Sequence, residues 1–171
     1  MKRTSLYRTI LILILLAPFT DYKGSTYKKE ISADKILVLK SKRMLLLYSK
    51  NTVIKKYAIS LGRIPVGAKQ FEGDNKTPEG IYFIESKDPH STWYKTLSIS
   101  YPGKLQIATA KKANKNPGSA IMIHGLRNDF AWIGSFHLLK DWTAGCIAVT
   151  NNEMDEIYNA VAIGTEIEIR P

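Results

Sequence analysis

D-W-T-A-G-C-I-A-V-T-N, residues 141–151, sets the single cysteine of the chain between a glycine and a short apolar run. Ile147–Val149 behind the thiol reads as a strand, and a second segment, I-M-I-H-G at 121–125, is a strand that stops at His124-Gly125. Each segment puts a reactive side chain at a strand end beside glycine, where backbone groups can come close. A thiol attacks as thiolate, and an ordinary cysteine pKa of about 8.5 leaves it mostly protonated near neutrality. A neighbouring imidazole can take that proton and return it to a leaving amine. Gly145 would let backbone N–H groups, that of Cys146 among them, approach a developing oxyanion. Residue chemistry alone goes no further: one cysteine among three histidines is a weak sign, and core packing is the plain alternative.

The pattern around these segments is strand-like. Ile36–Lys40, Met44–Tyr48 and Val53–Ser60 are short runs separated by Lys-Ser-Lys-Arg and by Lys50-Asn51, which read as hairpin turns. Tyr57, Ile59 and Leu61 share one face, with Lys56 and Ala58 on the other. Residues 62–80, rich in Gly, Pro, Asp, Asn and Lys, read as a loop. Strands are expected at Gly80–Glu85, Thr96–Tyr101, Ala120–Ile123 and Thr165–Ile169, and His90 reads as a surface loop residue. Only Asn152–Val161 has helical spacing, with Met154, Ile157, Tyr158 and Val161 on one stripe. The fold class is therefore mainly β, a sandwich of short mixed strands with one or two short helices.

Composition bounds the rest. An apolar fraction of 44% excludes wholesale disorder, and 171 residues leave room for one domain. One cysteine excludes an internal disulfide or a multi-cysteine metal site. The net charge of +10 suits an anionic partner, but no nucleic-acid-binding motif accompanies it, so a nucleic-acid partner is not expected. Residues 1–24 read as a signal peptide or membrane anchor, and 25–171 as the working domain. Lys2, Arg3 and Arg8 precede the apolar run Ile10–Ala17, which is short for a bilayer span and right for a secretory signal. A small-x-small cleavage site is missing, since cutting after Ala17 puts Leu15 at minus three, so an uncleaved anchor is the alternative.

The 121–125 and 141–151 segments resemble the signature of the YkuD-type L,D-transpeptidase family. His124-Gly125 matches its first His-Gly, Thr143-Ala144-Gly145-Cys146 its Ser/Thr-His-Gly-Cys, and Asn151 its asparagine five residues past the thiol. S-L-G-R-I-P-V-G at 60–67, G-D-N-K-T-P-E-G at 73–80 and S-I-S-Y-P-G at 98–103 resemble further blocks in the same order.

The resemblance implies an exported enzyme of the periplasm or cell envelope acting on peptidoglycan stem peptides. It implies Cys146 as nucleophile and His124 as proton shuttle, its ring oriented by a backbone carbonyl, here that of Gly125. Gly145, Gly125 and Thr143 would support the oxyanion, and carbapenem-type inhibitors would acylate Cys146. No metal or organic cofactor is implied. Ala144 stands where many members have a second histidine, and Ala148 where an arginine is common. These departures leave a hydrolase using water, or a silent wall-binding module, as the competing readings. Arg127 and, less directly, Lys76 are the candidate cations for a substrate carboxylate, while Asp74 reads as solvated. Asp141 is a candidate to orient His124 or His137. Eighteen residues separate His124 from Thr143, and the aromatics there (Phe130, Trp132, Phe136, with Trp142) either wall a pocket or pack a loop.

Overall fold

β1 (Ala33–Leu39), β2 (Met44–Ser49) and β3 (Thr52–Ala58) form an antiparallel meander. A computed structural model describes residues 32–171, so the signal or anchor expected at 1–24 lies outside the described residues. The hairpin turns fall where expected, with Arg43, Lys50 and Asn51 at positive φ. β8 (Val161–Arg170) runs parallel to β1 and antiparallel to β4 (Gly80–Ser91).

β4 turns the corner between two half-sheets. Gly80–Phe83 pairs with β8, and the strand from Ile84 onward pairs with β5 (Tyr94–Ile99), with register breaks at Ile84/Ser86 and Asp88/Ser91. Such breaks bend a strand, and Pro89 lies in the second one, where the ladder can spare its N–H. β6 (Met122–His124) continues antiparallel to β5, and β7 (Ile147–Ala148) is parallel to β6. The order is β3-β2-β1-β8-β4-β5-β6-β7. The two ends then meet, because Ser60 and Ala148 exchange backbone hydrogen bonds of 3.0 and 2.9 Å. One curled, mixed sheet thus faces itself across a single core, the mainly β architecture expected.

Ile36, Val38, Leu45, Leu47, Ile167 and Ile169 point into that core, each burial being worth roughly 1.5–3 kcal/mol. Tyr57, Ile59 and Leu61 are buried together, as their alternation predicted. α2 (Asn151–Ala160) buries Met154 and Ile157 and opens with a capping box between Thr150 and Glu153. Its last turn carries no cation of its own; Lys87 of β4 supplies one, donating to Tyr158 O and Val161 O.

Three expectations need correction. The strand read as ending at Glu85 runs on to Ser91, so His90 is an exposed strand residue rather than a loop one. α1 (Lys104–Lys112) went unread because it buries only Ala110 and leaves Leu105 and Ile107 in solvent, so no apolar stripe marks it. A 3-10 run, Asn128–Leu139, kinked at Gly134, comes in addition to α1 and α2. No helix among the described residues is long and apolar enough to cross a membrane.

Candidate active site

β6 and β7 bring the two sequence-predicted reactive residues together. Ile123 pairs with Ile147 and His124 with Ala148 in a parallel ladder. Ile121, Ile123, Ile147 and Val149 are core residues, so the alternate side chains, His124 and Cys146, leave the opposite face of the sheet. By that register they are diagonal neighbours on adjoining strands.

His124 is 3% exposed. Its Nδ1 lies 2.6 Å from Gly125 O; a carbonyl can only accept, so Nδ1 carries the proton and Nε2 keeps its lone pair. The ring is boxed by Trp93, with centroids 4.8 Å apart, and by Trp142 at 5.7 Å, edge-on. Burial lowers the imidazole pKa to about 4, against the opposing pull of the Gly125 carbonyl. Burial likewise pushes the Cys146 thiol up, partly offset by the Met122 backbone and by the charge of Lys69. The resting pair is therefore neutral thiol and neutral imidazole. The sulfur donates to Ala120 O at 3.6 Å, and Ala120 holds a positive φ of 57°.

The turn that carries the thiol is held from inside. Thr143 Oγ1 accepts from Gly145 N at 3.0 Å and donates to Cys146 O at 2.8 Å. That commits the Gly145 N–H, leaving the Cys146 N–H as the candidate oxyanion donor. Gly145 has φ +138°, and a Cβ there would stand 2.7 Å from Lys76 O. A Cβ on Gly125 would meet Asn151 Oδ1 at 2.7 Å, and that same oxygen accepts from Leu126 N at 2.8 Å. Asn151 thus ties the start of α2 to the segment after His124.

The 62–80 loop packs its backbone against this turn. Lys69 and Asp74 form an ion pair of 2.9 Å with side chains only 4% and 5% exposed. Asp74 also accepts from the N–H groups of Gln70, Phe71 and Lys76. Burial alone would raise its pKa, but these bonds together hold it below the ordinary carboxylate value. The expectation of a solvated Asp74 is corrected accordingly. Lys40, 1% exposed, pins the same loop through Gly67 O, Thr77 O and Glu79. Lys76 contributes its carbonyl to the wall beside Gly145, whereas the charge that slightly opposes the rise of the thiol pKa is that of Lys69, which sequence reading missed. Nothing in the sequence distinguished it from the other lysines of a polar loop.

Asp141 does not orient a histidine. It binds Arg43 through both carboxylate oxygens and accepts from Leu61 N at 2.9 Å. Arg127 is exposed and paired with Asp129, at 2.6 Å from Nε to Oδ1. His137 is buried against Trp142, edge-on at 6.5 Å. Phe130, Phe136 and Trp142 line a cavity together with Trp93, Arg127 and Lys140. The pocket-wall reading holds for these three aromatics, whereas Trp132 is exposed and takes no part in the wall. Ala144 is exposed at the turn, and Ala148 is buried on β7.

Residues 33–169 match the family described as the YkuD L,D-transpeptidase catalytic domain. YafK of Escherichia coli (strain K12), whose L,D-transpeptidase assignment is itself provisional, is 27% identical over 172 residues, covering 89% of this chain and 62% of that protein. The helical cell shape determining protein Pgp2 of Campylobacter jejuni superposes with a TM-score of 0.61 at 26% identity, covering 84% of this chain and 51% of that one. The L,D-transpeptidase LdtMt1, solved in complex with imipenem, shares the fold with a TM-score of 0.53 at 15% identity, over 79% of this chain and 57% of that one. The chain thus spans between half and two thirds of the length of these relatives. With the match running from the first strand to the last and the motif residues gathered at one sheet edge, the chain belongs to the YkuD L,D-transpeptidase catalytic domain family.

Proposed function

We propose that the domain is an exported cysteine acyltransferase acting on peptidoglycan stem peptides, with Cys146 as nucleophile and His124 as its base. The observation that carries the reading is the β6–β7 register together with the Nδ1–Gly125 bond, which leaves a lone pair on Nε2 for the thiol proton. In the first half-reaction that proton passes to Nε2 as sulfur bonds to the carbonyl carbon of the diamino acid at the third position of a donor stem. The C–N bond to the terminal D-alanine breaks, the proton leaves with the departing amine, and a thioester remains. In the second, an amine attacks the thioester carbonyl, an amide forms, and the proton shed by the amine returns through His124 to the sulfur. The Cys146 N–H faces the negative oxygen in both steps.

Because the thiol is raised and the imidazole lowered, proton transfer accompanies attack rather than preceding it. Acylation by carbapenems belongs to the same reading, supported by the imipenem complex of a relative. So does a place in cell-wall biogenesis, with a part in cell shape, the latter being the role named for Pgp2.

Incubation of the purified protein with disaccharide-tetrapeptide, resolved by mass, tests it. Crosslinked dimers lacking one D-alanine are expected, and Cys146→Ala abolishes them. Shortened monomers alone would assign a hydrolase using water, and folded protein giving neither product would end the enzymatic reading in favour of a wall-binding module.

A further inference from the structure

Residues 89–128 contain no carboxylate side chain, yet they carry Lys95, Lys104, Lys111, Lys112, Lys115 and Arg127. Lys95 is answered by Asp155 of α2, and Arg127 by Asp129. The other four lie on α1 or just past its end, and all four are exposed. Lys115 sits over the Phe71 ring, 3.6 Å from its centroid. Lys104, Lys111 and Lys112 enter no ion pair among the described residues. Carboxylates of the 62–80 loop are engaged elsewhere: Glu72 with Asn116, Glu79 with Lys40 and Asp74 with Lys69.

Neither packing nor helix electrostatics accounts for the outer face of α1. The inner side buries Ala110, and Gln106 Nε2 donates to Tyr82 Oη at 3.0 Å. On the opposite side Lys104, Ile107, Ala108 and Lys111 follow one another at spacings of three and four, with Leu105 and Lys112 beside them. Leu105 is 74% exposed and Ile107 48%. Alanine would serve a solvated helix better at both positions. Cations suit the last turn, where Lys111 and Lys112 stand, but Lys104 opens the helix, where the dipole favours an acid.

We infer that this outer face docks on an anionic phospholipid bilayer, with the lysines on headgroup phosphates and Leu105 and Ile107 in the interface. Charge complementarity selects the anionic partner. The aliphatic pair selects lipid over a soluble polyanion, which offers nothing apolar to bury against. Lysine stems lie along such a surface while their ammonium groups reach the phosphates. On either reading of Ile10–Ala17, signal or anchor, the chain meets a bilayer. The docking is independent of the chemistry at Cys146, so its failure leaves the acyltransferase reading untouched.

The test sediments the full chain with vesicles of phosphatidylcholine alone or mixed with phosphatidylglycerol. An N-terminal apolar run binds either kind, so the difference between the two is the readout. Tighter binding to the anionic vesicles is expected. Lys104→Gln/Lys111→Gln/Lys112→Gln should weaken it by at least about tenfold, toward the roughly hundredfold that about fivefold per lysine gives. Lys42→Gln/Lys50→Gln/Lys56→Gln removes the same charge from exposed hairpin positions and should weaken it by less than about threefold. Leu105→Ser/Ile107→Ser should weaken it by about tenfold. All these positions are exposed, and unchanged melting shows that the variants fold. An α1 lysine variant that binds anionic vesicles no more weakly than the hairpin variant overturns the inference. So does a serine variant that binds them at full strength while the α1 lysine variant also loses soluble polyphosphate, since α1 is then a general polyanion site.

Discussion

Gly145→Ala probes the turn that holds the nucleophile. Gly145 adopts φ +138°, and an added Cβ would lie 2.7 Å from Lys76 O and 3.1 Å from Ile121 Cδ1. A side-chain-bearing residue in such backbone costs about 1–3 kcal/mol, and overpacking a closed contact costs about 1–3 kcal/mol more. Relief is blocked on one side, because Asp74 Oδ1 holds Lys76 N at 3.1 Å and is itself paired with Lys69. The total, about 2–6 kcal/mol, corresponds to a fall in melting temperature of about 5–20 °C. Gly73→Ala is the control: φ is +79° there but nothing lies within 4 Å, so only the backbone part is felt. Calorimetric melting of the two variants separates strain from contact. Below its melting point, Gly145→Ala should also form the carbapenem adduct about a hundredfold more slowly, the scale of losing one oxyanion donor. A variant that melts within a degree of the control, or is acylated at the wild-type rate, would refute the reasoning.

Other outcomes follow from the same site. His124→Gln should slow acylation of Cys146 by about 10²–10⁴-fold, read by intact mass over time, and a rate near wild type would remove His124 as base. The base works when neutral, so acylation should rise as pH climbs through about 4 and fall below it. Iodoacetamide should alkylate Cys146 slowly at neutral pH and faster only as pH passes above the ordinary thiol value of about 8.5; a neutral-pH plateau would mean a preformed thiolate. Asp74→Asn, which strands buried Lys69, should cost about 3–5 kcal/mol in denaturant unfolding, with Lys69→Met/Asp74→Leu losing less. Since the Asp74 pKa is lowered by folding, its contribution is present above an unfolded value of about 3.9 and disappears as pH falls through the folded one. Asn151→Leu should cost about 1–3 kcal/mol by leaving Leu126 N unpaired, and an unchanged unfolding midpoint would remove that role.

Local patterns were legible where a residue's own neighbours decide its state. The β1–β3 hairpins, the buried Tyr57-Ile59-Leu61 face, the apolar stripe of α2 and the strand-end positions of His124 and Cys146 all follow from short-range periodicity and turn chemistry. α1 was invisible because a helix lying with almost every side chain in solvent leaves no periodic signature. The 3-10 run was likewise unread, since its large apolar residues face solvent or the cavity instead of forming a core stripe.

By itself, then, the sequence determined the fold class, the family and the identity of the candidate nucleophile and base, because these depend on alternation and on motifs a few residues long. Only the tertiary structure decided which partners those residues meet. Asp141 went to Arg43, Lys69 paired with Asp74 and buried its side chain, and the Trp93 and Trp142 rings closed on His124. Each of those outcomes depends on the curl that brings Ser60 against Ala148 and lays the 62–80 loop over the thiol turn. Contacts between segments tens of residues apart are set by how sheets close and loops fold back, and no local pattern encodes them.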